Sequence, residues 1–353
     1  MHSIEVLKGP EILLHGPHTT SGVVNLISTP IPETAGGKLN AEYGSFGTLK
    51  LHANYGATEG QWGFLVETYQ SKGDGFHDID RSKHTAGHDI EEYMGKVRWT
   101  SAPDAAYYQH VDVKLQYGVE TADVSYLGLT DADFKRDPNR RYGLSELERM
   151  DRGRKAASVQ HVFGFSDNTF LTTTGYWSDT YRYYNRLNQI NGINLGGVTD
   201  IVNNGGAGAD LIQGILDGTA DTTHANGVRY GHNDQAFVAK GVKMELQHWF
   251  ETGALQHELI TGVRWHEDTT KNAVRGVPTA SISRSMAAWF TSPPDWRRGK
   301  RVRPRLGPPG SVIASPSASG ACCRSSATKI SRPRPTLLTT RPRPSMLRGI
   351  PTA

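Results

Sequence analysis

Apolar and polar residues alternate one by one along most of the chain between residues 38 and 268. This period of two is typical of β-strands with one apolar and one polar face. The pattern predicts about nine strands of about 8–13 residues, which is longer than soluble strands and long enough to cross a bilayer at a tilt. The alternating apolar positions include Leu49, Leu51, Tyr55, Phe64, Val97, Val113, Leu115, Val159, Phe163, Val242, Val263 and Trp265.

The predicted connections between these strands alternate between short and long. Short turns fall at 57–60 and 166–168, whereas polar stretches fill 72–91, 121–155 and 182–235. Short turns on one side and long loops on the other are typical of an outer-membrane barrel. We therefore expect an all-β fold that includes part of a transmembrane antiparallel β-barrel. A soluble β-sandwich or a surface adhesin also explains the alternation, but it does not explain the strand lengths or the alternation of loop lengths.

Composition excludes several other classes of protein. Apolar residues make up 37% of the 353 residues, the mean hydropathy is −0.50, and no apolar run is long enough for a transmembrane helix. The sequence contains no nucleophile elbow, P-loop or paired-cysteine metal site, so it does not indicate an enzyme. His84 and His88, with Asp89 beside them, have side chains that can bind a metal. Because the sequence pattern commits no third ligand to a site with them, we interpret all three as solvated loop residues. The glycine-rich stretch 205–208 lacks the spacing of a nucleotide-binding loop.

The last part of the chain has a different composition from the rest. Up to residue 286 the chain has 26 Lys+Arg against 34 Asp+Glu, whereas from residue 287 onward it has 13 Lys+Arg against Asp295 alone. Eleven of the 18 prolines and both cysteines, Cys322 and Cys323, lie in this last part. We interpret 271–353 as an out-of-frame or disordered Arg/Pro-rich tail, because closely spaced prolines prevent helix and sheet from propagating. The acid-rich body has no cysteine and needs no disulfide.

The first thirty residues contain two predicted strands separated by a Gly/Pro-rich turn region. Residues 4–10 read IEVLKGP, residues 14–17 read LHGP, and residues 21–29 read SGVVNLIST. This order resembles the C-terminal end of the plug domain of TonB-dependent outer-membrane receptors. The departures are His15, where an aromatic is usual, and Ser21, where a glycine is usual. The motif residues are Gly9, Pro10, Gly16, Gly22 and Asn25.

The resemblance implies a division of the chain into three parts. Residues 1–35 would be the C-terminal part of the plug, 36–270 the first strands of the barrel, and 271–353 the tail. The signal peptide, the TonB-contacting segment and most of the plug would then lie upstream of Met1, so we expect a fragment that is non-functional and mislocalised by itself. The intact product would reside in the outer membrane and contact its lipid and lipopolysaccharide. Its energy would come from the TonB complex through the missing part.

Within this family, residues 126–134 and 137–142 resemble receptors of the ferric-dicitrate type. The resemblance implies uptake of a ferric siderophore or citrate-like chelate, with no cofactor of the protein's own, no resident metal and no nucleic-acid partner. Arginine's planar fork suits bidentate binding of carboxylates, and the long loops are rich in arginine. We therefore predict that Arg140, Arg141, Arg182 and Arg186 line the outer vestibule and hold the chelate. Binding of lipopolysaccharide phosphates, or pairing with nearby acidic residues, also explains such loops.

Overall fold

A computed structural model describes residues 2–8, 22–253 and 255–278. Two short strands at the start, β1 (Ser3–Leu7) and β2 (Val23–Ile27), pair antiparallel with Glu5 opposite Asn25. The Asn25 Nδ2 atom donates a hydrogen bond of 3.1 Å to the Glu5 carboxylate. Of the other predicted plug motif residues, Gly22 directly precedes β2, whereas Gly9, Pro10 and Gly16 lie outside the described residues. Most of the predicted tail also lies outside them.

Nine long strands form one antiparallel sheet within the described residues, each paired with its neighbours in chain order. This agrees with the all-β fold predicted from the alternation. The long strands are β3 (Gly36–Gly44), β4 (Thr48–Glu59), β5 (Trp62–Gly73), β7 (His88–Thr100), β8 (Tyr108–Ala122), β10 (Arg149–Ser166), β11 (Thr169–Ile190), β13 (Val228–Thr252) and β14 (Leu255–Pro278). Three two-residue strands are β6 (Asp78–Ile79), β9 (Arg140–Arg141) and β12 (Ile193–Asn194), and three helices are α1 (Asp131–Arg136), α2 (Leu195–Asn203) and α3 (Ala209–Asp217).

Among the described residues, none of the helices has both the length and the apolar character needed to cross a membrane.

The two faces of the large sheet have opposite character. One cross-strand row runs through Phe64, Val97, Val113, Val159, Gly175, Val242 and Trp265. This face is open to the surroundings; the side chains of Val97 and Trp265 are 46% and 52% exposed. The next row, on the opposite face, runs through Arg98, Asp112, Gln160, Thr174, Lys243 and Arg264. An exposed apolar face of this extent is typical of a surface that contacts lipid or another protein.

Several strands are longer than the sequence pattern predicted. β11, β13 and β14 have 22, 25 and 24 residues, because the backbone ladder continues where both faces are polar. Arg182 and Arg186 therefore lie in β11, and the prediction that they belong to a loop is wrong. The predicted end of the barrel part at residue 270 likewise falls inside β14.

The segment after β2 lies against the polar face of the sheet. Lys96 Nζ donates to the Thr29 carbonyl at 2.7 Å, and Thr29 Oγ1 donates to the Glu67 carboxylate at 3.0 Å. Ile31 is buried next to Gly63, where a Cβ would come within 2.9 Å of its Cγ2 atom. The small residue in β5 thus leaves room for the segment 29–32 to pack on the sheet.

We predict that Gly63→Val displaces this segment, because the added methyl groups overlap Ile31. Cleavage after the exposed Glu33 by a glutamate-specific protease, followed by mass spectrometry, should become about tenfold faster, since full burial of an isoleucine contributes about 1.5–3 kcal/mol. Gly95→Val is the matched control, because a Cβ at Gly95 meets nothing within 4 Å. Equal cleavage rates in the two variants would contradict this packing.

Candidate functional site

Three long connections lie together at one end of the sheet. They are 74–87, 123–148 and 191–227, called loops A, B and C here and together the loop domain. In a sheet of consecutive antiparallel strands, alternate connections fall at the same end, and the short connections 60–61, 101–107 and 167–168 fall at the other. The loop domain contains β6, β9, β12 and all three helices. It is therefore an ordered body built on one end of the sheet.

The buried hydrophobic core of the chain is centred on the loop domain. α3 begins after Gly208 and ends at Gly218, both in the left-handed conformation, and it buries Ile212, Ile215 and Leu216 at helical spacing. Asp210 lies in the first turn of α3, where its negative charge favours the helix N-terminus. The core cluster consists of Leu127, Tyr142, Leu144, Leu187, Ile190, Val198, Ile212, Ile215, Leu216, Val228 and Tyr230.

Arg140 joins the three loops through ion pairs. Its guanidinium lies 2.8 Å from Asp80 of loop A, 2.8 Å from Asp133 of loop B and 2.6 Å from Asp217 of loop C. The side chain is only 12% exposed, and its Cζ atom lies 4.9 Å from the ring centroid of Tyr142. The hydrogen bond to Asp80 outweighs burial and raises the pKa of Arg140, so the cation is held permanently charged between the three carboxylates.

Backbone contacts reinforce the link between loops A and B. β6 and β9 pair in parallel, with Asp78 opposite Arg140 and Ile79 opposite Arg141. The Asp80 amide donates to the Arg141 carbonyl at 2.9 Å, and Ser82 Oγ donates to the Glu146 carboxylate at 2.7 Å. The two loops thus form one unit.

Asp133 is a buried carboxylate with a full set of donors. Burial by itself raises the pKa of Asp133, but hydrogen bonds from Tyr142 (2.6 Å) and Gln213 (2.9 Å), together with the Arg140 charge, lower it overall. Burial and the hydrogen bond to Asp133 raise the pKa of Tyr142 to about 12. The ionised carboxylate therefore fixes α1 in loop B against α3 in loop C.

Glu148 is a second buried carboxylate, and it attaches loop B to the sheet. It is fully buried and accepts hydrogen bonds from the Leu187 amide at 2.9 Å and from Ser125 Oγ. Burial raises the pKa of Glu148 despite these donors. The charge thus carries a desolvation cost that a neutral group at the same position avoids.

The four arginines predicted to bind a ligand lie in two places. Arg140 and Arg141 lie inside the loop domain, where Arg141 is buried and donates to Ser145 Oγ at 3.1 Å and to the Asp123 carbonyl at 2.7 Å. Burial lowers the pKa of Arg141. Arg182 and Arg186 lie in β11 on the polar face of the sheet. Arg140 and Arg141 thus have structural roles in this packing, and their contact with a ligand stays a prediction.

A cavity of about 810 Å³ lies between the end of β11, loop B and the start of α2. Arg186 enters it with its Cζ atom 5.9 Å from the ring centroid of Tyr126, and Arg229 lines it while donating to Gln189 at 3.3 Å. Its described lining contains two cations and no acidic side chain, so it suits an anion of small-molecule size. The lining residues are Tyr126, Gly128, Arg186, Leu187, Asn188, Gln189, Asn194, Leu195, Gly196, Thr199 and Arg229.

Sequence analysis did not identify Arg229 as a site residue. It lay within the predicted loop 182–235, whereas the structure places it second in β13. Val228, directly after Gly227, is the first residue of that strand, and the glycine could have marked the end of the loop.

The predicted loop histidines have neighbours within the protein. His84 lies 3.4 Å from the Glu146 carboxylate, and the His88 ring lies 2.8 Å from Ser71 Oγ. Within the residues that the structure describes, no group of three or more His, Cys, Asp or Glu side chains is placed to hold a metal ion. The glycine-rich stretch 205–208 connects α2 to α3.

Solved structures with a similar fold are receptors for iron chelates. The ferric citrate transporter FecA, in its unliganded form, is 19% identical, with a TM-score of 0.55 over 79% of this chain and 36% of its own. The siderophore receptor PiuA from Acinetobacter baumannii is 12% identical, with a TM-score of 0.58 over 78% of this chain and 37% of its own. The ferric-catecholate import receptor Fiu from E. coli K12 is 17% identical, with a TM-score of 0.54 over 79% and 41%.

No protein-family model matches the sequence, and no curated protein matches it significantly. The chain spans less than half of the length of the solved receptors that it resembles. At these identities the likeness concerns the fold alone: the antiparallel sheet resembles the barrel of such receptors.

We predict that Arg140→Ala opens the loop domain, because it removes the buried cation shared by Asp80, Asp133 and Asp217 and leaves Asp133 paired only with the more exposed Arg136. Breaking a buried ion pair costs about 3 kcal/mol, so hydrogen exchange in α3 should become roughly 100-fold faster. Arg152→Ala is the matched control, since Arg152 forms an exposed pair with Glu120 outside the loop domain. Unchanged exchange in Arg140→Ala would contradict the central role of this cation.

We also predict that Glu148 and Asp133 make the stability of the loop domain depend on pH in opposite senses. The raised pKa of Glu148 means that stability increases as pH falls from that pKa toward the unfolded value of about 4.3. The lowered pKa of Asp133 means that its contribution is present above about 3.9 and is lost as pH falls through its folded value. The measurement is the opening free energy of α3 from hydrogen exchange, corrected for intrinsic rates.

The plot of opening free energy against pH has an upper limb, above about pH 4.3, that depends on Glu148, and a lower limb, at more acidic pH, that depends on Asp133. Glu148→Gln should flatten the upper limb and leave the lower limb unchanged. Glu42→Gln, at an exposed position of β3 outside the loop domain, serves as the control. A profile that keeps its upper limb in Glu148→Gln would assign the pH dependence to another group.

Proposed function

We propose that this chain is part of a TonB-dependent outer-membrane receptor that takes up a ferric chelate carried by carboxylates, such as ferric citrate. The observation that carries the proposal is the pair of opposite faces on one wide antiparallel sheet. An exposed apolar face suits lipid, and a charged face suits the polar interior of a barrel. The likeness to FecA, PiuA and Fiu supports the proposal, since they are a ferric citrate transporter, a siderophore receptor and a ferric-catecholate import receptor.

The ordered loop domain favours a receptor over a barrel that has no binding surface. Its buried core and its ion pairs would keep a binding surface in place on one end of the barrel. Among the described residues, no second sheet packs on the apolar face, as a soluble sandwich would require. The proposal therefore places the loop domain outside the cell and the short turns in the periplasm.

The cavity beside β11 is the proposed contact surface for the chelate. Arg186 and Arg229 would pair with its carboxylates, and Tyr126 would pack against its apolar atoms. Arg182 lies four residues before Arg186 in β11, two pleat repeats away on the same polar face. Arg140 and Arg141 would act on binding through the loop domain that they hold together.

The remaining partners follow from the receptor proposal. The segment that contains β1 and β2 would be the end of the plug, held to the wall through Thr29, Glu67 and Lys96. The TonB complex would supply the energy for uptake. Lipid and lipopolysaccharide would cover the apolar face.

Uptake of radioactive ferric citrate tests the proposed function. The genomic reading frame around this chain, with its flanking sequence, is expressed in cells that lack their own ferric-citrate receptor. We expect iron uptake that requires TonB and that ends when TonB is deleted. Absence of uptake, or uptake that continues without TonB, would contradict the proposal.

In the same cells, we predict that Arg186→Ala combined with Arg229→Ala weakens ferric-citrate binding at least about 100-fold. Each hydrogen bond to a charged partner contributes about 1.5–3 kcal/mol, and two are lost. Arg152→Ala controls for the loss of an exposed arginine. Binding within twofold of wild type would show that the chelate lies elsewhere.

A further inference from the structure

One cross-strand row on the polar face brings a tyrosine and a histidine together over a glycine. Tyr176 of β11 lies opposite Gly241 of β13, which lies opposite His266 of β14. A Cβ on Gly241 would overlap the Tyr176 hydroxyl, so the missing side chain lets the phenol lie across β13. The hydroxyl reaches to 2.6 Å from His266 Nδ1.

The other ring nitrogen of His266 is bound to a carboxylate. His266 Nε2 lies 2.7 Å from Asp268 Oδ2. Because the carboxylate only accepts, Nε2 carries the proton and Nδ1 presents its lone pair toward the phenol; this tautomer follows from the two partners. A carboxylate that holds one imidazole nitrogen while the other stays available is the arrangement that orients histidine ligands in metal sites.

Arg264 completes the cluster on the same face. Its Nε atom donates to the Tyr176 hydroxyl at 3.0 Å, and its Cζ atom lies 5.6 Å from the ring centroid. The guanidinium offers a partner to a carboxylate that arrives there. The cluster is open to approach, since the His266 side chain is 31% exposed and that of Asp268 is 64% exposed.

We propose that Tyr176 Oη and His266 Nδ1 form a half-site that coordinates ferric iron while the iron is still bound to its chelate. Phenolate oxygen and imidazole nitrogen are both established ligands of iron in proteins. Two protein ligands do not make a complete site, so the chelate supplies the rest. Asp268 orients the imidazole, and Arg264 pairs with a chelate carboxylate.

The binding step needs no redox partner. Two water ligands leave the chelated iron, the phenol proton passes to solvent, and the iron stays ferric while one bond to the phenolate oxygen and one to the imidazole nitrogen form. This inference rests on the proposed function for its ligand, and it adds a second contact on the barrel wall, separate from the cavity beside the loop domain.

Visible absorption of the full chain in detergent, titrated with ferric citrate or ferric nitrilotriacetate, tests the half-site. We expect a phenolate-to-iron charge-transfer band in the wild type and its loss in Tyr176→Phe. Asp268→Asn should keep the band but weaken iron-chelate binding about 10–100-fold, as loss of an outer-shell carboxylate does. Tyr181→Phe is the matched control, because Tyr181 of β11 also lies across a glycine, Gly153, and should keep the band.

The outcomes separate the half-site from the proposed function. Absence of a band in the wild type, or a band that persists in Tyr176→Phe, would overturn the half-site. If that result comes with TonB-dependent uptake of ferric citrate, the receptor function stands without it. A band that is lost only in Tyr176→Phe, in a gene product that transports no ferric citrate, supports the half-site and rejects the proposed function.

Discussion

Backbone hydrogen bonds hold eight neighbouring strands of the large sheet in one antiparallel register, from β4 to β14, and this register determines which side chains share a face. A slip of one residue would move each apolar side chain to the polar face. The continuous rows through Val113 on one face and Asp112 on the other therefore fix the sheet as a wall between two environments. The polar contacts of the segment 29–32 and the Tyr176–His266 row both depend on it.

The loop domain depends on a different balance, in which buried charges are offset by close partners. Asp133 and Glu148 are both buried, yet one pKa falls and the other rises. The difference lies in their neighbours: Asp133 faces Arg140 and a tyrosine donor, whereas the donors around Glu148 do not outweigh desolvation. Such buried pairs add little to net stability. They select one arrangement of the loops, because a different arrangement would leave a buried charge unpaired. A preformed loop surface binds a ligand with little loss of conformational freedom.

The sequence pattern predicted the sheet because its apolar face is marked at every second residue, as in Val111, Val113 and Leu115. It did not predict the ends of β11 and β13 next to the loop domain. There Arg182 and Arg186 are interspersed with tyrosines, and neither face is consistently apolar. The helix α3 could be predicted from its apolar spacing and from Gly218. The roles of Arg140 and Arg229 could not, since they depend on contacts with residues about 60 and 40 positions away along the chain. The pairing of Tyr176 with His266, 90 residues apart, likewise requires the register of three strands.

The measurement that tests the central claim most directly is the solvent exposure of single nitroxide labels on adjacent residues, with Cys322 and Cys323 replaced by serine and the chain reconstituted into lipid bilayers. The pairs Val113 and Lys114, Val159 and Ser158, and Val242 and Lys243 each place one label on each face. The account predicts that labels at the three valines are relaxed by oxygen, which concentrates in lipid, and that labels at their neighbours are relaxed by a water-soluble nickel chelate. Equal access of the nickel chelate to both members of each pair would contradict a sheet that separates lipid from a polar interior.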